Sequence, residues 1–353
     1  METNAATAFC RKSSVVVVAG KGGVGKSTVS AALARLAARQ GLSVLLIELD
    51  EVGAVSQLFD NHESSSETVE LSADATPHWD TKSAPVRALT ITAEDVLVEY
   101  LRDHGFGRAA KRLSRSGMLD IAATGIPGVR DILVLGKILQ LDRSHTADLI
   151  VVDGPAAGHA VSFLTCAQGV LDSSRAGPLH SLASDVVSFL SDPARCQVVL
   201  VTVAEETPVN ETVETARTLE ARVGVYLGPA IMNLMFPRLE LLGADPEAAA
   251  AAAGITLRPG EADAIRSAAM FRCLRQEMQT EQANRLAEAL PLPQLWLPKL
   301  FAAEIGFLEI DLLVDAMESG LTLLRDPVGR NGWLGPIKVA AGIGLAGRIA
   351  ACE

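Results

Sequence analysis

The sequence predicts an α/β fold: a doubly wound, mostly parallel sheet flanked by helices, with an inserted helical subdomain. Three observations carry this expectation. Residues 15–19, Val-Val-Val-Val-Ala, form a β-branched run that ends at Gly20, and helical periodicity and a second apolar run follow, which together make a βαβ unit. Short apolar runs of the kind a sheet buried on both faces requires recur further along the chain. Hydrophobic residues make up 49% of the 353 residues and charged residues 21%, enough for a large packed core and incompatible with global disorder.

The elements follow in order. Residues 28–39 carry Val29, Leu33, Leu36 and Ala37 at helical spacing, and Gly41 is a natural stop. Residues 43–49 read as the second strand. Residues 60–85 hold Ser64-Ser65-Ser66, several acids and no apolar period, so a mobile loop is expected there. Residues 86–92 return to strand. Residues 94–141 show only helical patterns, broken at Gly105-Phe106-Gly107 and Pro127-Gly128, and form the inserted subdomain. Strand signals resume at 149–153, 198–203 and 226–233. Residues 239–289 read as helical, with the Ala248–Ala253 run as a surface helix. A last strand falls at 292–297 and a last helix at 304–324. The domain expectation is therefore 1–93 with 142–330 as the main body, 94–141 as the insertion, and 331–353 as a tail that is frayed or lies as an amphipathic segment on a surface.

Composition narrows function. A net charge of −11 argues against broad nucleic-acid binding. The five cysteines are odd in number, scattered and form no CxxC, so reduced thiols are expected rather than a disulfide framework or a compact zinc site. Met1 to Ser14 is polar, the run at 15–19 is too short for a secretory core, and no stretch reaches a membrane-span length of apolar residues, so a cytoplasmic location is expected.

The chemistry is concentrated in Gly20-Lys21-Gly22-Gly23-Val24-Gly25-Lys26-Ser27, followed by Thr28. It satisfies G-x-x-x-x-G-K-S between a predicted strand and a predicted helix, the context of a phosphate-binding loop. The glycines let successive N–H groups turn inward around phosphates, and the helix adds its positive end. Lys26 is expected between the β- and γ-phosphates, and the Ser27 hydroxyl on Mg²⁺. Asp50 and Asp153 close two apolar strands, where ligands sit in open α/β sheets. One of the pair should position or deprotonate the attacking water, and the other should hold Mg²⁺ through its waters.

With Lys21 in place the loop reads GKGGVGKST and resembles the deviant Walker A group of ATPases, which includes the MinD, nitrogenase iron protein, ArsA and Get3 families. The resemblance implies that Lys21 crosses a dimer interface to the partner's phosphates. Within the group the chain is similar to the ArsA/Get3 family. Asp153-Gly154-Pro155-Ala156-Ala157-Gly158-His159 resembles the switch II motif DTAPTGH at Asp153, Gly158 and His159. Asn233, with Phe236-Pro237 after it, resembles the strand-end asparagine that reads adenine. Leu297-Pro298 followed by Glu304 resembles the loop over the base, and Asp50 falls where the family keeps its switch I catalytic aspartate. Val55-Ser56-Gln57-Leu58-Phe59, Gly128-Val129-Arg130-Asp131-Ile132-Leu133 and the run from Glu205 to Thr212 resemble the actinobacterial ArsA-like ATPases more narrowly. The likeness covers about residues 15–324.

There are departures. Family switch I continues D-P-A-H, whereas Asp50 is followed by Glu51-Val52-Gly53; the CxxC that clamps zinc in Get3 and the cysteine cluster of arsenite-stimulated ArsA are both missing. The resemblance implies Mg²⁺-dependent ATP hydrolysis that drives a dimer between open and closed states, in membrane-protein targeting or a related chaperone or regulatory role. The alternatives are an ATPase subunit of an arsenite or anion efflux system, and a switch acting with a paralogous ATPase. Expected partners are a second copy or such a paralogue, a membrane-protein client, no nucleic acid, and at most peripheral membrane contact. Lys111, Arg112, Arg115 and Arg108 form a basic face on the insertion.

Overall fold

The structure, a computed structural model, describes residues 4–49, 58, 69–71, 84–103, 128–239 and 242–324. An eight-stranded sheet runs in the order β3-β4-β2-β5-β1-β6-β7-β8. The strands are β1 (Val15–Gly20), β2 (Val44–Glu48), β3 (Val69–Leu71), β4 (Val86–Thr90), β5 (Leu149–Ala156), β6 (Cys196–Val203), β7 (Ala230–Met235) and β8 (Gln294–Pro298). Seven are parallel; β3 runs antiparallel on the edge beside β4, pairing Val69 with Ala88 and Leu71 with Val86. The described helices are α1 (Ala5–Cys10), α2 (Lys26–Arg39), α3 (Ala93–Asp103), α4 (Val129–Arg143), α5 (Ala157–Ser173), α6 (Pro178–Leu190), α7 (Glu206–Val223), α8 (Pro246–Ala253), α9 (Glu261–Ala289) and α10 (Phe307–Leu324).

The apolar runs are explained by two covered faces. Along β1, Val15, Val17 and Ala19 join a core layer with α4, α5, α6, α7 and the end of α9, while Val16 and Val18 face a second layer built by α1, α2 and α10. Every residue of β1 and β2 is buried, so no polar alternation is permitted on either strand. Glu48 is the exception to the apolar run, and it is only 4% exposed.

Helix α2 is enclosed on nearly all sides. Its Arg35 is 2% exposed, bonds the Asp311 carboxylate of α10 at 2.9 Å and lies 5.1 Å from the ring centre of Phe307. Asp311 also takes Arg39 at 3.0 Å, so one carboxylate ties two guanidinium groups and fixes α2 against α10.

The expected mostly parallel α/β fold is the one observed, with differences in detail. Residues 60–85 were expected as loop throughout, yet Val69–Leu71 forms the edge strand, pairing antiparallel with β4 through its backbone. The polar N-terminus contains α1, capped by the Asn4 carboxamide, which accepts from the Ala6 N–H at 3.2 Å. The helical stretch 239–289 holds two helices, the alanine run in α8 and then α9, divided where Gly254 and Gly260 take positive φ and end the one and begin the other. The strand expected at 226–233 is Ala230–Met235, preceded by a single bridge from Leu227 to Val198. Helices α3 and α4 of the 94–141 stretch contribute Val96, Ile132, Leu135 and Ile138 to the same core layer as the sheet. The rest of that stretch, with its basic face, and the tail at 331–353 lie outside the described residues.

Candidate functional site

The order of the sheet places β1 between β5 and β6, so the carboxyl ends of three central strands meet at one edge. Gly20 closes β1 there, beside Ala156 of β5 and Val201 of β6. A Cβ on Gly20 would stand 2.2 Å from the Val201 carbonyl oxygen, so the strand can turn out of the sheet only with glycine at this point. The loop then exposes Gly22 and Gly23, buries Val24, and enters α2 through Gly25, whose φ of +88° marks a left-handed turn. Lys26, Ser27 and Thr28 form the first turn of α2, where backbone N–H groups lack partners inside the helix and face the strand ends.

Three side chains organise this turn. The Ser27 hydroxyl donates to Asp153 Oδ2 at 2.7 Å, and the Ser30 hydroxyl donates to Asp153 Oδ1 at 2.9 Å. Asp153 stands opposite Val18 in β1 and opposite Glu48 in β2. Burial pushes its carboxyl above the usual carboxylate range; the hydroxyl bonds of Ser27 and Ser30 and the charge of Lys26 pull it back, and Glu48 raises it further. The site therefore holds a hydroxyl and a carboxylate in contact at a helix N-terminus, with a second buried carboxylate adjacent. Such hard oxygen donors suit Mg²⁺ rather than a soft metal, so the expected group fits the residues present.

The two lysines point to different places. Lys26 Nζ donates to the Lys21 carbonyl oxygen at 3.2 Å, folding back over the loop. Lys21 Nζ reaches out to Glu211 Oε1 of α7 at 2.8 Å. Asn233, in β7 two residues before its end and 3% exposed, donates from Nδ2 to the Val24 carbonyl at 2.9 Å, so it holds the loop from behind. A Cβ on Gly25 would lie 2.4 Å from that Nδ2.

Beyond Asn233 the strand ends carry a cationic and aromatic rim. The rings of Phe236 and Phe301 meet edge to face with centres 5.9 Å apart, and Arg272 lies 4.4 Å from the centre of the Phe236 ring. Lys299 lies 5.1 Å from the same centre. Pro298 is buried at the end of β8, opposite Met235, and the Lys299 N–H bonds the Met235 carbonyl at 2.7 Å. Gln279 of α9 fastens the turn by accepting from the Phe236 N–H at 2.8 Å and donating to the Leu234 carbonyl at 3.0 Å, where Leu234 takes a φ of +58°.

Of the expected site residues, the structure brings together Gly20, Gly22, Gly23, Val24, Gly25, Lys26, Ser27, Thr28, Asp153 and Asn233, with Lys21 directed outward and Pro298 at the neighbouring strand end. Asp50 and the residues after it lie outside the described residues. His159 is exposed in the first turn of α5, and its charge acts on Asp131 of α4, whose carboxyl burial pushes upward. Sequence reading missed Ser30, Glu48, Glu211 and Gln279. Ser30 had a signal, one turn beyond Ser27 on the same helix face, and Glu48 had one, as an acid inside an apolar strand. Glu211 lies in the Glu205–Thr212 run already singled out, but its partner, 190 residues away, could not be read from that run.

Comparison with known proteins agrees with this geometry. Residues 13–173 match the family model described as anion-transporting ATPase. The ATPase BagA of Mycobacterium tuberculosis is 35% identical over 228 residues, covering 63% of this chain and 65% of its own length. An ATPase ASNA1 homolog of Leishmania infantum is 32% identical over 176 residues, 43% of each chain. The ATPase GET3 of Pyricularia oryzae is 30% identical over 149 residues, 42% of each. The match thus spans just under two thirds of the mycobacterial relative and under half of the other two.

Proposed function

We propose that this chain, whose residues 13–173 match the model of the anion-transporting ATPase family, binds ATP with Mg²⁺ at the Gly20–Thr28 loop and hydrolyses it. The observation that carries the reading is the contact of Ser27 and Asp153 at the N-terminus of α2, directly after the glycine loop. Backbone N–H groups of the loop and the ammonium of Lys26 bind the phosphates. Ser27 and Asp153 hold Mg²⁺, the latter through water; the bound ion would neutralise phosphate charge as it develops. Asp50 positions the attacking water, and Asn233 and Pro298 border the base. Lys21 serves the phosphates of a partner subunit, as an arginine supplied in trans does.

Turnover then requires two subunits, either two copies or one copy with a paralogous ATPase. Nucleotide state is passed outward along α5, which follows β5 and carries the exposed His159 in its first turn. We place this switch in membrane-protein targeting or a related chaperone role, on the likeness to the Get3 family. Among the described residues no helix is long and apolar enough to cross a membrane. An arsenite-stimulated pump is not favoured, because the five cysteines are scattered along the sequence and among the described residues no three His, Cys, Asp or Glu side chains gather into a cluster that could hold a metal ion.

The test compares ATP affinity and turnover in the Lys21→Ala variant. Retained affinity with lost turnover is expected; turnover at the wild-type rate would remove the trans-lysine mechanism. The role is tested with Asp50→Asn. Single-span membrane proteins that co-purify with it in Mg-ATP and not in ADP support targeting, and a second ATPase alone supports the paired switch.

A further inference from the structure

We propose that Glu211 is the positioning residue for Lys21: it holds the ammonium aside in the nucleotide-free chain and yields it when a second subunit brings phosphate within reach. This rests on the reading of Lys21 as a residue that acts on a partner's nucleotide.

The geometry supports a holder rather than a fixed strut. Lys21 and Lys26 belong to one short loop, and their like charges disfavour a shared position over the phosphate seat. The structure separates them: Lys26 folds onto the Lys21 carbonyl, and the Lys21 side chain leaves the loop for Glu211 at 2.8 Å. Glu211 lies in the second turn of α7, on the β6 side of the loop, away from Asp153 and the Mg²⁺ donors. The two side chains are 38% and 39% exposed, so water screens the pair and its net stabilisation is small. A tighter, buried pair would leave an unpaired charge on opening and would resist release. One half-exposed carboxylate is instead a weak competitor for an ammonium that can meet the several negative charges of a nucleotide triphosphate. Glu211 therefore keeps Lys21 extended and neutralised at rest, and its hold is overcome only in the assembled dimer.

The experiment uses the full chain as wild type, Glu211→Gln and Glu211→Asp, with two readouts. The first is the rate at which an amine-acylating reagent labels Lys21 in the nucleotide-free protein, read by peptide mass spectrometry. The second is ATP turnover against protein concentration, with KM for ATP measured separately. In Glu211→Gln, Lys21 should label about threefold to fivefold faster, and the protein concentration giving half-maximal turnover should fall by a similar factor, which matches an exposed ion pair. KM for ATP should not move, and Glu211→Asp should lie between the other two. A purely structural role for Glu211 would instead lower the melting temperature and leave the concentration dependence alone, and that result overturns the proposal. So does faster labelling with no change in concentration dependence. Wild-type protein that binds no ATP overturns the ATPase reading itself, and the proposal with it.

Discussion

Replacing Asp153 with asparagine separates what this residue does for the fold from what it does for a ligand. In the nucleotide-free chain, burial raises the Asp153 carboxyl, and the bonds from Ser27 and Ser30 only partly offset this. The folded chain therefore binds the Asp153 proton more tightly than the unfolded chain does. Stability from this group is lost as pH rises from the ordinary carboxylate value through the raised folded value, and at neutral pH its charge is a standing cost. Asparagine keeps the shape and one acceptor oxygen and removes the charge, so the nucleotide-free variant should be more stable than the wild type at neutral pH and melt at a higher temperature. The gain should vanish below about pH 3, where the wild-type group is protonated in both the folded and the unfolded chain. With Mg-ATP the order reverses. A ligand at a hundredfold excess over Kd stabilises the wild type by about 2.7 kcal/mol, and the variant should lose about 1.5 kcal/mol or more of that, the worth of a bond to a charged group. Thermal unfolding with and without Mg-ATP at the two pH values reads all of these terms. A variant that melts lower than wild type without nucleotide at neutral pH, or keeps the full Mg²⁺-dependent shift, would refute the reasoning.

Three further substitutions test the frame around the site. Gly25→Ala puts a Cβ 2.4 Å from Asn233 Nδ2 at a φ of +88°, so it should cost about 1–3 kcal/mol in urea unfolding and weaken ATP binding; unchanged ATP affinity would show that Asn233 does not brace the loop. Gln197 is fully buried in β6 with neither amide atom partnered, so Gln197→Met, close in volume, should raise the urea midpoint by the equivalent of about 1–3 kcal/mol. A lower midpoint would show that the amide is satisfied in solution. Asp311→Ala removes the carboxylate shared by Arg35 and Arg39 and should cost about 3 kcal/mol in the same assay, far more than an exposed pair; a loss under 1 kcal/mol would show that Arg35 is held by its other contacts.

The parts legible in the sequence are those with local signatures. The β-branched run before Gly20, the glycine loop and the helix-periodic stretch after it specify strand, turn and helix within some 25 residues, and two-sided burial explains the unbroken apolar strands. Asp153 could be placed because it directly ends a run of four apolar residues. What could not be read depends on register and on side-chain reach across the sheet. Glu48 meets Asp153 only because β2 and β5 pair in one register. The bond from the Asn233 carboxamide to the Val24 carbonyl is set by how β7 packs against the turn at Val24. Lys21 and Glu211, and Gln279 with Leu234, are joined by packing of elements far apart in sequence. The edge strand β3 was hidden because three residues are too few to show a period.

The most direct test of a magnesium-nucleotide site built on Ser27 and Asp153 is the equilibrium affinity for ATP, with and without Mg²⁺, of the wild-type chain and of Ser27→Ala. Mg²⁺ should tighten wild-type binding by about tenfold or more, and Ser27→Ala should bind ATP with an affinity that Mg²⁺ barely changes. Equal affinity of the wild type in the presence and absence of Mg²⁺, or full Mg²⁺ dependence in Ser27→Ala, would contradict it.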